Sequence, residues 1–464
     1  MLKTYLKSIP LLLLTKESKT SMKIYTVDGF VEVGKNMTVV ETDEDAFIFD
    51  CGLYLPPIVE LEERDKVYTE KKLRSIKAVP NDTVLSNRLK GKVRAILITH
   101  AHLDHIGALP WLAKQYDAPI IATPFTMEVI RGQYLDENID PENKLITIKP
   151  NTSIQIRGKD RDYKIDFIAS THSTIQCSMI ALHTKEGVFL HSGDFKFDSA
   201  PVMGLKPDYN KLREIEKIGV KAMVVDSLYA DDERKTASEK VARTLLEDVM
   251  LGTTNRGNGV LVTTFSSHIA RLKSIVDFGK KLNREVVFVG RSLNKYVTAA
   301  KNAKDCPFSQ DIRIASYRKQ VEKALTRANK DKGRYLLVTT GHQGEPFSIL
   351  DRMARNILPY RLDPNDHVIF SSSVIPTPIS VENREKLDAR LKKKKVRIFN
   401  NVHVSGHGGR EDLRDFVNMV NPEHIIPNHA DRPKIASMHN LCQELGYKNK
   451  KNLHLMPDGG SIEI

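Results

Sequence analysis

Thr99-His100-Ala101-His102-Leu103-Asp104-His105-Ile106-Gly107 places four potential metal ligands within six residues. The run leading into it, Ala95 to Thr99, is apolar and reads as a buried strand, and Ile106 to Tyr116 reads as a helix. The ligands therefore fall on the loop beyond the C-terminal end of a strand. A lone histidine is more often structural than metal-binding, but that reading does not explain such density at such a place.

Three further candidates occupy the same kind of position: His172 after Phe167-Ile168-Ala169, Asp194 in His191-Ser192-Gly193-Asp194, and His429 after Ile425-Ile426-Pro427. Loops at one edge of a sheet can converge on one pocket. His100, His102, Asp104, His105, His172, Asp194 and His429 make seven donors, more than one tetrahedral ion accepts, so two ions per chain are predicted. Both shells close if His100, His102 and His172 hold one ion, Asp104, His105 and His429 hold the other, and the Asp194 carboxylate bridges them. Imidazoles mixed with carboxylates suit Zn2+, with Mn2+ as the alternative. Two ions about 4 Å apart acidify a shared water and neutralise a phosphoryl group under attack, which is hydrolase chemistry.

Working outward, Met22 to Gly52 alternates apolar and polar residues with closely spaced turn signals, as short strands do. Strand patterns recur at Lys164 to Ala169, Val188 to His191 and Ala222 to Val225. Between about Asp231 and Lys395 helix and strand alternate regularly: Ser238 to Met250, Val260 to Phe265, Ile269 to Leu282, Glu285 to Val289, Tyr335 to Thr339, Phe347 to Asn356, His367 to Ser371. That grammar means parallel strands with crossover helices, a self-sufficient α/β unit. Val396 to Val402, His424 to Pro427 and Leu453 to Met456 then read as strands around two helices, so a first domain opens, is interrupted and closes.

At 464 residues the chain exceeds what one hydrophobic core ordinarily serves. No apolar run reaches the roughly 18 residues of a membrane span, so no membrane partner is expected. A net charge of +13 and a pI near 9.3 favour a polyanionic partner. The four cysteines, Cys51, Cys177, Cys306 and Cys442, are too scattered for a zinc ribbon or a disulfide framework. The apolar stretch Ile9 to Leu14 is short and lacks a cleavage site, so residues 1–21 are read as an N-terminal extension of a cytoplasmic protein.

His407, flanked by Gly406, Gly408 and Gly409, sits where backbone can approach a phosphate, and its imidazole could donate a proton or hydrogen bond there; His403 and Ser405 would support the same phosphate. The loop Gly341-His342-Gln343-Gly344, between a strand and a helix, offers backbone N–H groups to an anion. Ser266, Ser267 and His268, after another strand of the insert, are candidates for a terminal-phosphate pocket. The Lys392 to Lys395 run reads as a solvated face or a phosphate-tracking rim.

The H-x-H-x-D-H cluster, His172 and Asp194 resemble the second, third and fourth motifs of the metallo-β-lactamase superfamily, and Asp50 in Phe49-Asp50-Cys51-Gly52 resembles the first. Asp226 in Val224-Val225-Asp226-Ser227, His407 in His403-Val404-Ser405-Gly406-His407-Gly408 and His429 in Pro427-Asn428-His429-Ala430 resemble motifs A, B and C of its β-CASP nucleases. Thr264-Phe265-Ser266-Ser267-His268, Gly290-Arg291-Ser292, Thr340-Gly341-His342-Gln343-Gly344-Glu345-Pro346 and the H-V-S-G-H segment are similar, in order, to the ribonuclease J family. The likeness runs from about residue 22 to the end. It departs at His342 and Ala430, where that family more often has serine and glycine, and it resembles the shorter archaeal form.

The resemblance implies an αβ/βα metallo-β-lactamase sandwich, an α/β fold of residues 22–230 and 396–464, with a β-CASP domain at 231–395. It implies a two-zinc ribonuclease acting on single-stranded RNA, 5′ to 3′ from a 5′-monophosphate end, with endonuclease activity besides; the alternatives are an RNA 3′-end-processing endonuclease of the cleavage-factor type and a catalytically silent RNA-binding subunit. Asp50 and Asp226 would orient the site without being main ligands, and Asp194, Asp104 and His407 would carry the chemistry. A homodimer is the expected assembly.

Overall fold

The computed structural model describes residues 21–60, 68–375 and 377–464. The expected N-terminal extension lies, apart from Ser21, outside the described residues. Three sheets organise the rest. The first runs Gly460–Glu463, Met22–Asp28, Met37–Thr42, Asp45–Phe49, Val93–Leu97, Ile120–Ala122, Leu145–Thr147, and the second runs His424–Asn428, Val220–Asp226, Val188–His191, Ser178–His183, Asp162–Ala169, Thr152–Arg157.

Strand alternation explains how these two sheets stack. Phe47 and Phe49 of the first sheet face Tyr163, Phe167, Ile180 and Phe189 of the second in one buried layer, while Ala46 and Ile48 point to the opposite side, toward the helices. The outer face of the second sheet, with Met179, Ala181, Met223 and Val225, is covered by helices Tyr209–Ile218, Arg410–Val420 and Arg432–Glu444. This is a four-layer αβ/βα sandwich, and its last helices and strands come from the C-terminal part of the chain.

The third sheet is wholly parallel, in the order Ile312–Ala315, Glu285–Val289, Tyr335–Thr339, Val260–Thr263, His367–Phe370, Arg397–Phe399. Val260, Val262, Phe288 and Val338 on one face join the same apolar cluster as the helices of the first sheet, so the insert is packed against the sandwich rather than tethered to it. Helix Arg291–Asn302 lies on helix Pro124–Asp136, with Lys295 paired to Asp136 at 2.7 Å. Among the described residues no helix is long and apolar enough to cross a membrane.

Three local expectations need correction. The single helix read over Ile106 to Tyr116 is broken into Leu103–Ile106, Leu109–Leu112 and a 3-10 turn Ala113–Tyr116, with Pro110 in the first turn of the middle piece. The strand expected at Val396 to Val402 is only Arg397–Phe399, and it pairs with His367–Phe370, so it extends the insert's sheet beyond the expected 395/396 division. Leu453 to Met456 forms no strand but isolated bridges from Leu453 to Ile425 and Asn449; the closing strand is Gly460–Glu463, which borders Met22–Asp28.

Candidate active site

Every strand that was expected to deliver a donor ends at the same rim of the sandwich. Val93–Leu97 leads to His100, Asp162–Ala169 to His172, Val188–His191 to Asp194 and His424–Asn428 to His429. Two tight backbone approaches make this convergence possible. Gly193 has φ +53°, and a Cβ there would lie 2.7 Å from Thr99. A Cβ on Gly406 would lie 2.9 Å from the His172 ring.

The result is two sets of donor atoms that share Asp194: His100, His102, His172 and Asp194 in one, Asp104, His105, His429 and Asp194 in the other. In the first, His102 Nδ1 lies 3.2 Å from His100 Nε2 and 3.0 Å from His172 Nε2, and Asp194 Oδ2 lies 3.5 and 3.7 Å from those two Nε2 atoms. In the second, Asp194 Oδ2 is 3.2 Å from His105 Nε2 and 3.5 Å from His429 Nε2, and Asp104 Oδ2 is 3.7 and 3.8 Å from the same nitrogens. A tetrahedron with bonds of 2.0–2.1 Å has edges of about 3.3 Å, so these spacings suit the corners of a coordination shell.

Partners on the opposite ring nitrogens turn the others inward, where Nε2 of His105 also lies 3.1 Å from the Asn36 amide nitrogen and Nε2 of His172 3.2 Å from Ser173 Oγ. His100 Nδ1 donates to Thr99 Oγ1 at 3.0 Å, His105 Nδ1 to Asp50 Oδ2 at 2.8 Å, His172 Nδ1 to the Gly406 carbonyl at 2.7 Å, and His429 Nδ1 to Asn36 Oδ1 at 3.1 Å. His102 is reversed: its Nε2 meets Ser267 Oγ at 3.2 Å and its Nδ1 faces the cluster. Each ring is thus oriented and its tautomer set by a partner behind it. Asp50, at φ +59°, also accepts from the Thr99 N–H and hydroxyl.

Electrostatics agree with a cation site. Burial pushes His100 and His172 well below the ordinary imidazole value and His102 down to about 4, so these rings are neutral. Burial opposes charge on Asp194, but His105, His429 and His100 around it hold its carboxyl well below the usual range. Its Oδ1 is buried without a hydrogen-bond partner among the described residues. An orphaned buried carboxylate oxygen amid imidazole lone pairs costs free energy unless a cation satisfies it, so the donor set fits divalent metal.

His407 lies over both sets, its ring 4.7 Å from that of His172 and 5.7 Å from that of His429. Its Nδ1 is 2.7 Å from Asp226 Oδ2. Burial alone would lower its pKa, but Asp226 and Asp194 raise it above the ordinary value. Ser405 Oγ accepts from the His407 N–H and so shapes the turn that carries it.

The remaining candidates divide. Ser267 faces His102, and Ser266 Oγ meets Ser292 Oγ at 2.9 Å on an open face. Gly341, at φ +117°, opens a turn whose His342 packs on Phe265 at 4.3 Å between ring centroids. The helix beyond is Ile349–Ala354, capped by Ser348, so the loop does not sit directly on a helix N-terminus. Gln343 is spent on tying down the next loop, bonding the Ser373 carbonyl and the Ile375 N–H, and both ring nitrogens of His268 are spent on Glu239 and the Arg271 N–H. Gly406 serves behind His172. Asn36, which carried no signal in the sequence, is buried and orients His429 while donating to the Asp104 carbonyl at 3.0 Å.

A four-layer αβ/βα sandwich with a histidine and aspartate metal centre at one rim, and a parallel α/β domain inserted over it, defines a metallo-β-lactamase-type hydrolase of the β-CASP class. Residues 31–219 match the Metallo-beta-lactamase superfamily, 257–384 the Ribonuclease J, beta-CASP domain, and 393–452 the Zn-dependent metallo-hydrolase RNA specificity domain. The chain is 40% identical over 450 residues to Ribonuclease J of Methanocaldococcus jannaschii, covering 96% of this chain and 99% of that protein. It is 38% identical to Ribonuclease J of Pyrococcus abyssi, over 97% and 98% of the two. With Ribonuclease J of Helicobacter pylori it shares 30% identity over 96% of this chain and 61% of the relative. A solved Enterococcus faecalis protein of unknown function has the same fold, with a TM-score of 0.63 at 16% identity over 96% of this chain and all of that one. The chain belongs to the ribonuclease J family of metal-dependent ribonucleases.

Proposed function

We propose that the chain is a two-zinc exoribonuclease that degrades single-stranded RNA 5′ to 3′, prefers a 5′-monophosphate end, and can also cut internally. His100, His102, His172 and Asp194 would hold one ion, and Asp104, His105, His429 and Asp194 the other. Five imidazoles among seven donors favour Zn2+ over Mn2+. Bound there, the ions supply Lewis acidity and charge neutralisation for phosphodiester hydrolysis.

The chain's own groups supply the rest. Asp226 accepts from Nδ1 of His407 and favours the doubly protonated ring, so that Nε2 also carries a proton, which it gives to the departing oxygen or shares with the phosphate as a hydrogen bond. Asp50, Thr99, Asn36 and the Gly406 carbonyl keep the donor rings from turning. His403 offers a further N–H to a phosphate oxygen.

One observation carries the exonuclease reading: Ser267, on the loop after strand Val260–Thr263 of the insert, touches His102 itself. The serine loop and the metal donors therefore form one surface, and an RNA end anchored on the former sets its first phosphodiester beside the latter. RNA labelled at its 5′ end tests this. Immediate release of labelled mononucleotide, faster from a 5′-monophosphate than from a 5′-hydroxyl, is expected; early internal fragments alone would overturn it. Sedimentation of the same preparation reads the expected homodimer.

A further inference from the structure

Arg271 is the largest fully buried side chain of the described residues, on helix Ile269–Lys281 of the insert. Such a cation persists where it is paired and hydrogen-bonded. Its Nε and Nη2 grip both oxygens of the buried Glu239 at 2.6 and 2.8 Å. The two N–H groups of its Nη1 are shared among the Ser371 carbonyl and hydroxyl, each at 2.8 Å, Nδ1 of His403 at 3.2 Å and the Val402 carbonyl at 3.5 Å. Ser371 in turn donates to the Val402 carbonyl at 2.8 Å, which pins the backbone next to His403.

A guanidinium has no lone pair to offer, so in the contact with His403 the imidazole nitrogen must accept. Nδ1 then carries no proton, and Nε2 must. Among the described residues Nε2 has no partner. His403 stands four residues before His407 on the same loop.

We propose that Arg271 is a positioning residue for RNA cleavage: it donates to Nδ1 of His403, fixes the tautomer whose Nε2 carries the proton, and so keeps one hydrogen-bond donor aimed at an RNA phosphate oxygen. The inference rests on reading His403 as a phosphate contact. Burial, with Arg271, His268 and Lys196 nearby and only Glu239 opposing them, holds His403 far below the ordinary imidazole value, so the donor is uncharged throughout the neutral range. Glu239 is the counter-charge that lets the guanidinium be buried, and His268 Nε2, 3.3 Å from Glu239, braces it.

Nitrogen-15 NMR of the metal-loaded protein labelled in histidine, with His403→Phe to assign the signal, reads the tautomer directly. His403 should show a lone-pair nitrogen at Nδ1 and a protonated Nε2 from pH 5.5 to 8; a protonated Nδ1, or a titration in that range, overturns the proposal whatever the variants do. Arg271→Gln alone would strand the Glu239 charge, so the paired Arg271→Gln, Glu239→Gln protein is the kinetic test. It should raise KM for RNA on the order of tenfold, with kcat within about twofold and metal content unchanged. His403→Phe should raise KM similarly, and His403→Gln, which keeps an N–H near the Nε2 position, should recover part of the loss. An unchanged KM in His403→Phe removes the underlying phosphate contact. A raised KM there with none in the paired variant overturns the role of Arg271 alone.

Discussion

Nδ1 of His407 lies 2.7 Å from the carboxylate of Asp226, joining a loop from the C-terminal part of the sandwich to the end of strand Val220–Asp226. The contact fixes which nitrogen of His407 faces the metal donors, and it is the charge that favours a proton on that ring.

Asp226→Asn keeps the shape of this contact but removes its charge, and the amide can turn its N–H toward the ring and reverse the tautomer. kcat for RNA should fall by about 10² or more, the scale of one positioned acid or base, while metal content measured by mass spectrometry stays at the wild-type value. Loss of metal in this variant would make Asp226 part of the ion site.

Gly406 gives a second prediction. A methyl group at this position would sit 2.9 Å from the His172 ring, and no flexible chain end is available to give way. Gly406→Ala should displace His172 and weaken metal binding by roughly 10- to 100-fold in a chelator titration, with the thermal transition of the metal-free protein little changed. A Ser405→Ala protein, altered at the neighbouring residue, should retain wild-type metal affinity.

Asp28 predicts a pH dependence of stability away from the catalytic cluster. Burial, with Asp458 nearby, raises its pKa to about 6 despite the Lys35 ammonium at 3.2 Å and the Asn81 N–H. The folded chain therefore holds this proton more tightly than the unfolded chain does. Its contribution to stability is fully present below pH 3.8 and is lost as pH rises through about 6. Asp28→Asn should be more stable than wild type at pH 7, by at most about 3 kcal/mol, and the gain should vanish near pH 4. Urea midpoints of both proteins at pH 4, 5, 6 and 7 measure it; equal midpoints throughout would contradict it.

Much of this centre is legible in the sequence because metal chemistry restricts residue type and spacing together. His100, His102, Asp104 and His105 crowd one loop, and His172, Asp194 and His429 each follow an apolar run that can only be a buried strand. The supporting residues are harder to read. Asn36 is one asparagine in a polar loop, and only folding brings it beside His429, 393 positions away. Gly406 reads as a phosphate cradle because glycine permits any close approach, and the sequence does not say that the His172 ring is what approaches. His268 and Gln343 look available for RNA because their partners, Glu239 and the Ser373 carbonyl, are distant in the chain. Elements were misread where a local pattern served a remote purpose, as with Arg397–Phe399, whose strand pattern is plain but whose partner belongs to the other domain.

Hydrolysis at this site, as proposed, depends on Asp194 joining two ions into one catalytic centre. Metal content of the zinc-reconstituted protein, measured by mass spectrometry on the same sample whose RNA cleavage is assayed, tests it most directly. Two ions per wild-type chain are predicted, with occupancy and cleavage falling together in Asp194→Asn. A fully active wild-type chain holding one ion, or none, would contradict it.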